Sequence, residues 1–592
     1  MNGLLFQRIG HTKIQNNHLK TFIKRGENCT FALILFMIFK KYISILFLAF
    51  LFCALQAQDK VVPKYEYRAV WLTTIENLDW PRVLVKNPSD IARQKQELCV
   101  ILDSLEELNV NTVLLQTRVR GDVIYPSAIE PFSHVLTGVE GKDPGYDPLG
   151  FAIEECHKRG MQLHAWLVTM PLGKDLHIAR QGKMALSRKK RALCTHYRGA
   201  WYMEPGNPET ADYLVALVDE IVRKYNVDGI HLDYIRYPDR TTGYPDASLY
   251  RKYGKGLSLG AWRRKNITGI ARRIYECVKS VKPWVRVSCA PLGKYDNLSR
   301  YSSLGWDARN AVFQEAQEWM RDGIMDIIFP MLYFNGNNFY PFVRDWQENS
   351  YGRHVVPGVG IYRLVPKYGG WPAMEVKRQM HTSREAGTAG TAMFRTAHLL
   401  GNAGGGRELF EVVYGAPALV PPMLWHGTRP SAPVISESRR ENHAVTFSWG
   451  KVAAKGGEPA IKYNVYAAVG DTVDTGDIGN LVAHSLSDTL FVWNCRTAEP
   501  LSVAVTAVDA YGVESEPAVA LFAGNKALLE TIHLPEPRSW GQRIELLDVH
   551  GRRLYFGRYS RSVGLHGLQG GCYILNVYDR HGARLFSRKV VR

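Results

Sequence analysis

From Lys64 onward, over some 360 residues, the chain repeats one pattern eight times: a short apolar, strand-like segment ending in polar or aromatic residues, then a stretch long enough for a helix. The predicted strands are Tyr67–Thr73, Thr112–Thr117, Gln162–Leu167, Gly229–Asp233, Arg286–Ala290, Asp326–Met331, Val355–Gly360 and Thr391–Arg395. Parallel strands need long crossovers, so this alternation predicts an α/β fold with helices outside a parallel sheet. Eight units predict a TIM-type (β/α)8 barrel with enlarged loops and its working groups at the C-terminal strand ends. A doubly wound open sheet is the alternative, but no glycine-rich phosphate loop follows the first strand.

Local signals agree. Leu98, Ile101, Leu102, Leu105 and Leu108 share one side of a helix predicted over Ile91–Leu108, and Phe151–Arg159 reads as a helix stopped by Gly160. Asn207-Pro208-Glu209 reads as an N-cap, a proline in the first turn and an acid, before Leu214, Leu217, Val218 and Ile221 at helical spacing. In the next strand, Gly229, His231 and Asp233 share one face while Ile230 and Leu232 occupy the other.

A chain of 592 residues exceeds one core and predicts three folded domains. Residues 1–57 read as a signal peptide with a leader before the expected true start, Met37: Lys40 and Lys41 precede the apolar run Tyr42–Leu55, and Ala57 marks the cleavage point. That run is too short to span a bilayer, so no integral membrane span is expected in the mature chain, which would be periplasmic, surface-attached or secreted. Phe52 before Cys53 is too bulky for a lipoprotein signal. Removing seven basic residues and one acid leaves 67 basic and 55 acidic residues, about +12 net, which suits an anionic glycan or simple solubility. No nucleic-acid motif accompanies that charge. Cys99, Cys156, Cys194, Cys277, Cys289, Cys495 and Cys572 show neither metal-ligand spacing nor a disulfide framework.

The helix period ends near Pro421-Pro422, placing the barrel over residues 58–425. Over residues 430–525, Trp449, the Tyr463/Tyr466 pair and Asp509-Ala510-Tyr511-Gly512 resemble a fibronectin type III β-sandwich. Over residues 526–592, Asp548-Val549-His550-Gly551-Arg552 returns as Asp579-Arg580-His581-Gly582-Ala583, each a hairpin turn. With Arg588-Lys589-Val590-Val591-Arg592, this stretch resembles the C-terminal β-domain that Bacteroidetes attach to exported proteins, sometimes for sorting.

Within the barrel, Arg68-Ala69-Val70-Trp71-Leu72, Asn77-Leu78-Asp79-Trp80-Pro81, Gly145-Tyr146-Asp147-Pro148-Leu149, His164-Ala165-Trp166, Pro205-Gly206-Asn207-Pro208-Glu209 and Asp228–Asp233 stand in order. From about Tyr65 to Thr396 the chain resembles the bacterial glycosyl hydrolase-like family ten. The resemblance implies export and glycoside hydrolysis, with a polysaccharide or peptidoglycan glycan strand as partner.

Glycoside hydrolysis needs two carboxyls flanking the scissile bond. Asp233 is the first, expected as nucleophile or base because its place resembles the nucleophile of alpha-amylase-type barrels, which implies retention; a loop-capping Asp is the alternative. The fifth strand offers no acid. Glu315 is the first choice for the second carboxyl, standing where the family pattern has Asp before Trp319; a solvated helix acid is the other reading. Asp122 is the alternative, and Glu76, Asp79 and Asp307 remain open. Gln116, Arg118, His164, Trp166, His231, Tyr234, Arg236 and Tyr333 are expected to meet sugar hydroxyls and ring faces, though His164 and Trp166 read equally as core. Leu167-Val168-Thr169-Met170-Pro171 replaces the family's Asn-Pro-Tyr-Arg, and Tyr234 stands where many relatives have a second Asp. No cofactor is expected. No metal is expected either, since His231 and Asp233 lack a visible third ligand. A carbohydrate-binding or scaffold protein that has lost its second acid is the rival reading.

Overall fold

The computed structural model describes residues 62–441, 444–495, 497, 499–524, 531–533, 543–558, 562–564, 572–579 and 584–591. The expected signal segment lies outside the described residues. Among those described, no helix is long and apolar enough to cross a membrane.

The parallel sheet closes on itself. In chain order, β1 (Tyr67–Leu72), α1 (Pro88–Glu107), β2 (Thr112–Arg118), α2 (Pro148–Lys158) and β3 (Gln162–Val168) open the barrel. After an excursion containing α3 (Asp175–Gln181) come α4 (Glu209–Lys224), β4 (Gly229–Asp233), α5 (Leu259–Val281) and β5 (Arg286–Ala290). Next are α6 (Ala316–Arg321), β6 in two pieces (Ile327–Ile328, Met331–Leu332), α7 (Tyr340–Glu348), β7 in two pieces (His354–Val355, Gly358–Val359), α8 (Ala373–Glu385) and β8 (Gly390–Met393). Each strand pairs in parallel with the next, and β8 returns to β1 with Tyr67 opposite Gly390. The pieces of β6 and β7 part at Pro330 and Pro357, where proline has no N–H for the ladder. The ladder bridges these breaks: Gly358 donates to the Pro330 carbonyl at 2.9 Å and Ala392 to that of Pro357 at 3.0 Å.

The helices follow their local signals. α1 starts one turn before the predicted Ile91, because Asn87 and Asp90 close a capping box and Pro88 occupies the first turn. Leu98, Leu102 and Leu105 then face the barrel. The start of α4 lies at Glu209, whose N–H is received by Asn207 Oδ1 at 3.1 Å. Sequence periodicity gave no sign of the excursion after β3, a three-stranded antiparallel sheet of Pro171–Lys174, Ala200–Met203 and Cys194–Tyr197.

Inside the barrel, Trp71, Trp166, His231 and Phe329 meet edge-on, with ring centroids 5.2–6.3 Å apart. Burying an aromatic of this size contributes roughly 1.5–3 kcal/mol, so the interior is a packed core and not a pore. At the N-terminal end Arg286 donates to Tyr67 Oη at 3.1 Å.

The next module is a sandwich of three strands (Ile435–Glu441, Ala444–Trp449, Leu490–Asn494) over four (Leu481–Leu486, Lys462–Val469, Leu501–Val508, Ala518–Phe522). Phe447, Trp449, Tyr463, Val465, Val503 and Val505 fill it. Its turn around Tyr511 packs under the barrel with Met423, Trp425 and Trp284, and Glu514 pairs with Lys64 at 2.6 Å. The last module holds a four-stranded antiparallel sheet ordered Arg553–Arg558, Arg543–Asp548, Cys572–Tyr578, Arg584–Val591. Asp548 Oδ1 receives the His550 and Arg552 N–H groups in its first hairpin turn; residues 580–583 of the echoing turn lie outside the described residues.

Candidate active site

β4 ends at Asp233, which is held from several sides. Thr169, just past β3, donates its N–H and its hydroxyl to the Asp233 carbonyl, each at 2.9 Å. Tyr234 turns into the left-handed region, φ 51°, and its own N–H reaches Asp233 Oδ1 at 2.7 Å. Trp166 donates its indole N–H to Oδ2 at 3.2 Å. The residue is only 5 % exposed. Burial outweighs these donors and the charge of Arg236, so the Asp233 pKa is pushed up to about 6. A carboxyl so placed is partly protonated near neutral pH, which suits proton donation better than permanent negative charge does.

Aromatic rings gather at the same end of the barrel. Tyr333, just past β6, stacks on Phe394, just past β8, with centroids 5.1 Å apart. Trp71 meets both edge-on at 6.3 and 5.9 Å, and Tyr362 approaches both at 6.0 and 6.1 Å. The Tyr333 hydroxyl is held well above its ordinary pKa by burial, then by the charge of Asp233. Tyr234 is 40 % exposed, with the Arg236 guanidinium 4.5 Å above its ring. Arg236 is itself buried, leaves its Nε without a partner and pairs with Asp239. Ring faces around a few convergent polar groups are what a sugar-binding cleft requires.

The structure thus brings together Asp233, Trp166, Tyr234, Arg236 and Tyr333. Sequence reasoning missed Phe394, Tyr362 and Asp239. Phe394 lay inside the predicted eighth strand, and Asp239 stands three residues beyond Arg236, so position alone could have raised both.

The other expected sugar contacts are engaged within the protein. Gln116 Oε1 accepts the Thr74 and Ile75 N–H groups at 3.0 and 2.8 Å, fixing the loop after β1. Arg118 is fully buried; it grips Glu130 through Nε and one terminal nitrogen at 2.8 and 2.7 Å and donates to the Thr169 carbonyl at 2.9 Å. It therefore positions the segment that holds Asp233. His231 accepts from the Trp71 indole at 3.1 Å and so carries its proton on Nδ1, facing Ser288 Oγ at 3.0 Å. Burial keeps that imidazole neutral. His164 is buried deeper, against Gly229, where an added Cβ would lie 2.6 Å from the ring. Its pKa falls to about 3 through burial, reinforced by Arg286.

Glu315 also departs from expectation. It precedes α6, pairs with Arg264 at 3.1 Å and accepts from Thr268 at 3.3 Å, both on the outer helix α5. Its carboxylate is thus engaged in bracing α6 against α5. Among the remaining acids, Asp79 takes hydrogen bonds from Thr73 and Ala397 and pairs with Arg395, Glu76 pairs with Arg120 at 3.1 Å, and Asp307 caps Asn310. Asp122 is fully buried beside His177.

A closed barrel with a raised carboxyl at the end of β4, ringed by aromatics, defines a protein of glycoside-hydrolase type. The chain belongs to the family described as Glycosyl hydrolase-like 10, matched over residues 66–367. It is 32 % identical over 396 residues to "Glycosyl hydrolase YngK" of Bacillus subtilis (strain 168), covering 63 % of this chain and 76 % of that protein. It is 34 % identical over 287 residues to "Glycosyl hydrolase DigH" of Escherichia coli (strain K12), covering 45 % of this chain and 65 % of that protein. Among solved structures, the glycoside hydrolase domain of PgaB (BpsB) from Bordetella bronchiseptica is similar at 13 % identity and TM-score 0.39, covering 59 % of this chain and 99 % of that one.

Proposed function

We propose that this chain is an exported glycoside hydrolase acting on a bacterial cell-wall or complex glycan, with Asp233 as its proton-transferring carboxyl. The observation that carries the reading is a carboxyl with its pKa raised to about 6 at the end of β4, among the rings of Trp71, Tyr234, Tyr333 and Phe394. Protonated Asp233 gives its proton to the glycosidic oxygen as the C–O bond breaks, and the resulting carboxylate takes a proton from the water that completes hydrolysis. Asp239, half-exposed and paired with the Arg236 whose charge acts on Asp233, takes the second-carboxyl role expected of Glu315. Export rests on the apolar run Tyr42–Leu55 behind Lys40 and Lys41. The three-over-four strand pairing of the middle module supports its fibronectin type III reading, and attachment or sorting falls to the two β-modules.

One observation favours a second reading, a carbohydrate-binding or scaffold protein. Among the described residues no other carboxylate touches Asp233 directly, and β5 ends without an acid. Reducing-end release from a polysaccharide panel that includes peptide-free cell-wall glycan separates the two. Turnover lost in Asp233→Asn and in Asp239→Asn, with glycan binding retained, supports the hydrolase and its residue roles. Binding without turnover by the unaltered chain establishes the second reading instead.

A further inference from the structure

Two loops at the C-terminal end of the barrel converge on a group of metal-ligating side chains unused by the reading above. Asp122 and His134 belong to the long connection after β2, and His177 lies on α3 in the excursion after β3. One donor atom from each lies within 4.8 Å of the others. His177 Nε2 is 3.2 Å from Asp122 Oδ2. Glu140 Oε1 sits against Nδ1 of both imidazoles, 3.1 Å from His134 and 3.7 Å from His177. His177 thus turns Nε2 toward Asp122, and one ring nitrogen of His134 completes the group.

Hydrogen bonding within the protein leaves this cluster incomplete. Asp122 has a side chain 1 % exposed and its Oδ1 has no partner; Oδ2 receives Gln181 Nε2 at 3.1 Å. Both Glu140 oxygens are buried and lack hydrogen bonds of acceptable geometry. His177 Nε2 is also 3.3 Å from the Arg120 carbonyl, so a metal-free arrangement would satisfy that nitrogen yet still strand three carboxylate oxygens. Among the described residues neither carboxylate has a lysine or arginine as ion-pair partner. Buried carboxylates whose ion-pair partners are imidazoles alone stay uncompensated whenever those rings are neutral, and a divalent cation would neutralise them.

We infer that Asp122, His134 and His177 form a binding site for a divalent transition metal of the zinc class, with Glu140 as the outer carboxylate that orients both imidazoles. Two imidazole nitrogens and one carboxylate favour zinc or its first-row neighbours over magnesium or calcium, which prefer oxygen donors alone. A carboxylate behind the ligating histidine is the usual outer support of such a site. Donors about 2.1 Å from a tetrahedral ion lie roughly 3.4 Å apart, so small side-chain movements close the set. The ion clamps the connection after β2 to α3, and with it two walls of the barrel mouth. No spacing in the sequence announces it, because Asp122 and His134 reach His177 only through the fold.

The test uses the untagged full chain, since a histidine tag would bind the same ions. Protein stripped with EDTA and dialysed is titrated with Zn2+ by calorimetry, and separately with Co2+ while visible absorption is followed. One equivalent of Zn2+ with a raised melting midpoint, and Co2+ bands typical of low coordination number, are expected. Glu140→Gln should weaken Zn2+ binding by about 10–100-fold, and the His134→Ala/His177→Ala pair should abolish it. The unaltered chain decides the matter even if a variant fails to fold: no saturable Zn2+ binding and no Co2+ bands would overturn the site. Equal binding by a folded His134→Ala/His177→Ala chain would overturn the ligand assignment.

Discussion

Replacing Asp233 by Asn should reveal a pH-dependent penalty that the fold carries at its site. Below pH about 3 folded and unfolded chains both hold the Asp233 proton, so the carboxyl contributes no pH-dependent difference. As pH rises, the unfolded chain ionises first while the folded chain keeps its proton up to a pKa of about 6, so stability falls through that window. Above it the penalty is constant. The span from 3.8 to about 6 corresponds to about 3 kcal/mol. Asn cannot ionise and escapes this term. It offers one acceptor where Trp166 and Tyr234 supply two donors, a loss of about 1–3 kcal/mol at any pH. The informative quantity is therefore the change in the variant's relative stability between pH 3 and pH 8. A barrel of about 360 residues unfolds with an entropy near 0.76 kcal/mol/K, so about 3 kcal/mol corresponds to a gain of about 4 °C for Asn relative to Asp across that range. Scanning calorimetry of both proteins at the two pH values, following the barrel transition, measures it. A difference that stays constant within about 1 °C would show that Asp233 ionises near its ordinary value and would refute its assignment as proton donor.

With a donor that must be protonated, hydrolysis should fall as pH rises through about 6, and a rate still climbing past pH 7 would contradict that role. Glu315→Gln should leave turnover within about threefold, because the side chain braces Arg264 and Thr268 on the outer helix; loss of activity in a folded variant would restore the expectation drawn from sequence. Arg118→Ala should destabilise the barrel by about 3–5 kcal/mol by leaving Glu130 buried without its charge partner, measured as the denaturation midpoint. A chain ending near residue 425 should fold and keep activity on soluble glycan, because the sandwich packs at the opposite end from Asp233. It should be less stable by the exposure of Met423 and Trp284, and an inactive but folded truncation would show that the site borrows from the sandwich.

Much of this protein is a local property of its sequence. Strand alternation and helix period act over a few residues, so the eight strands, the capped helices around them and the position of Asp233 at the end of β4 are written in the order of side chains. The sandwich strands follow from the same alternation. Pro330 and Pro357 even mark where β6 and β7 break, although only the pairing across those breaks shows that the barrel closes.

Tertiary structure decided what each polar group at the strand ends does. Gln116, Arg118 and His231 lie at positions that periodicity directs inward or toward the mouth, yet each meets a partner inside the protein: the loop after β1, Glu130, and the Trp71–Ser288 pair. Glu315 was a carboxyl at a family position until the turn before α6 aimed it at Arg264. Asp122, His134 and His177 had no ligand spacing and became neighbours because two loops fold onto one another. A strand's periodicity depends on bonds a residue makes with its own chain neighbours, whereas a carboxyl's pKa or a histidine's role depends on burial and on charges a few ångströms away. Those neighbours come from segments tens to hundreds of residues distant, so no local reading of the chain contains them.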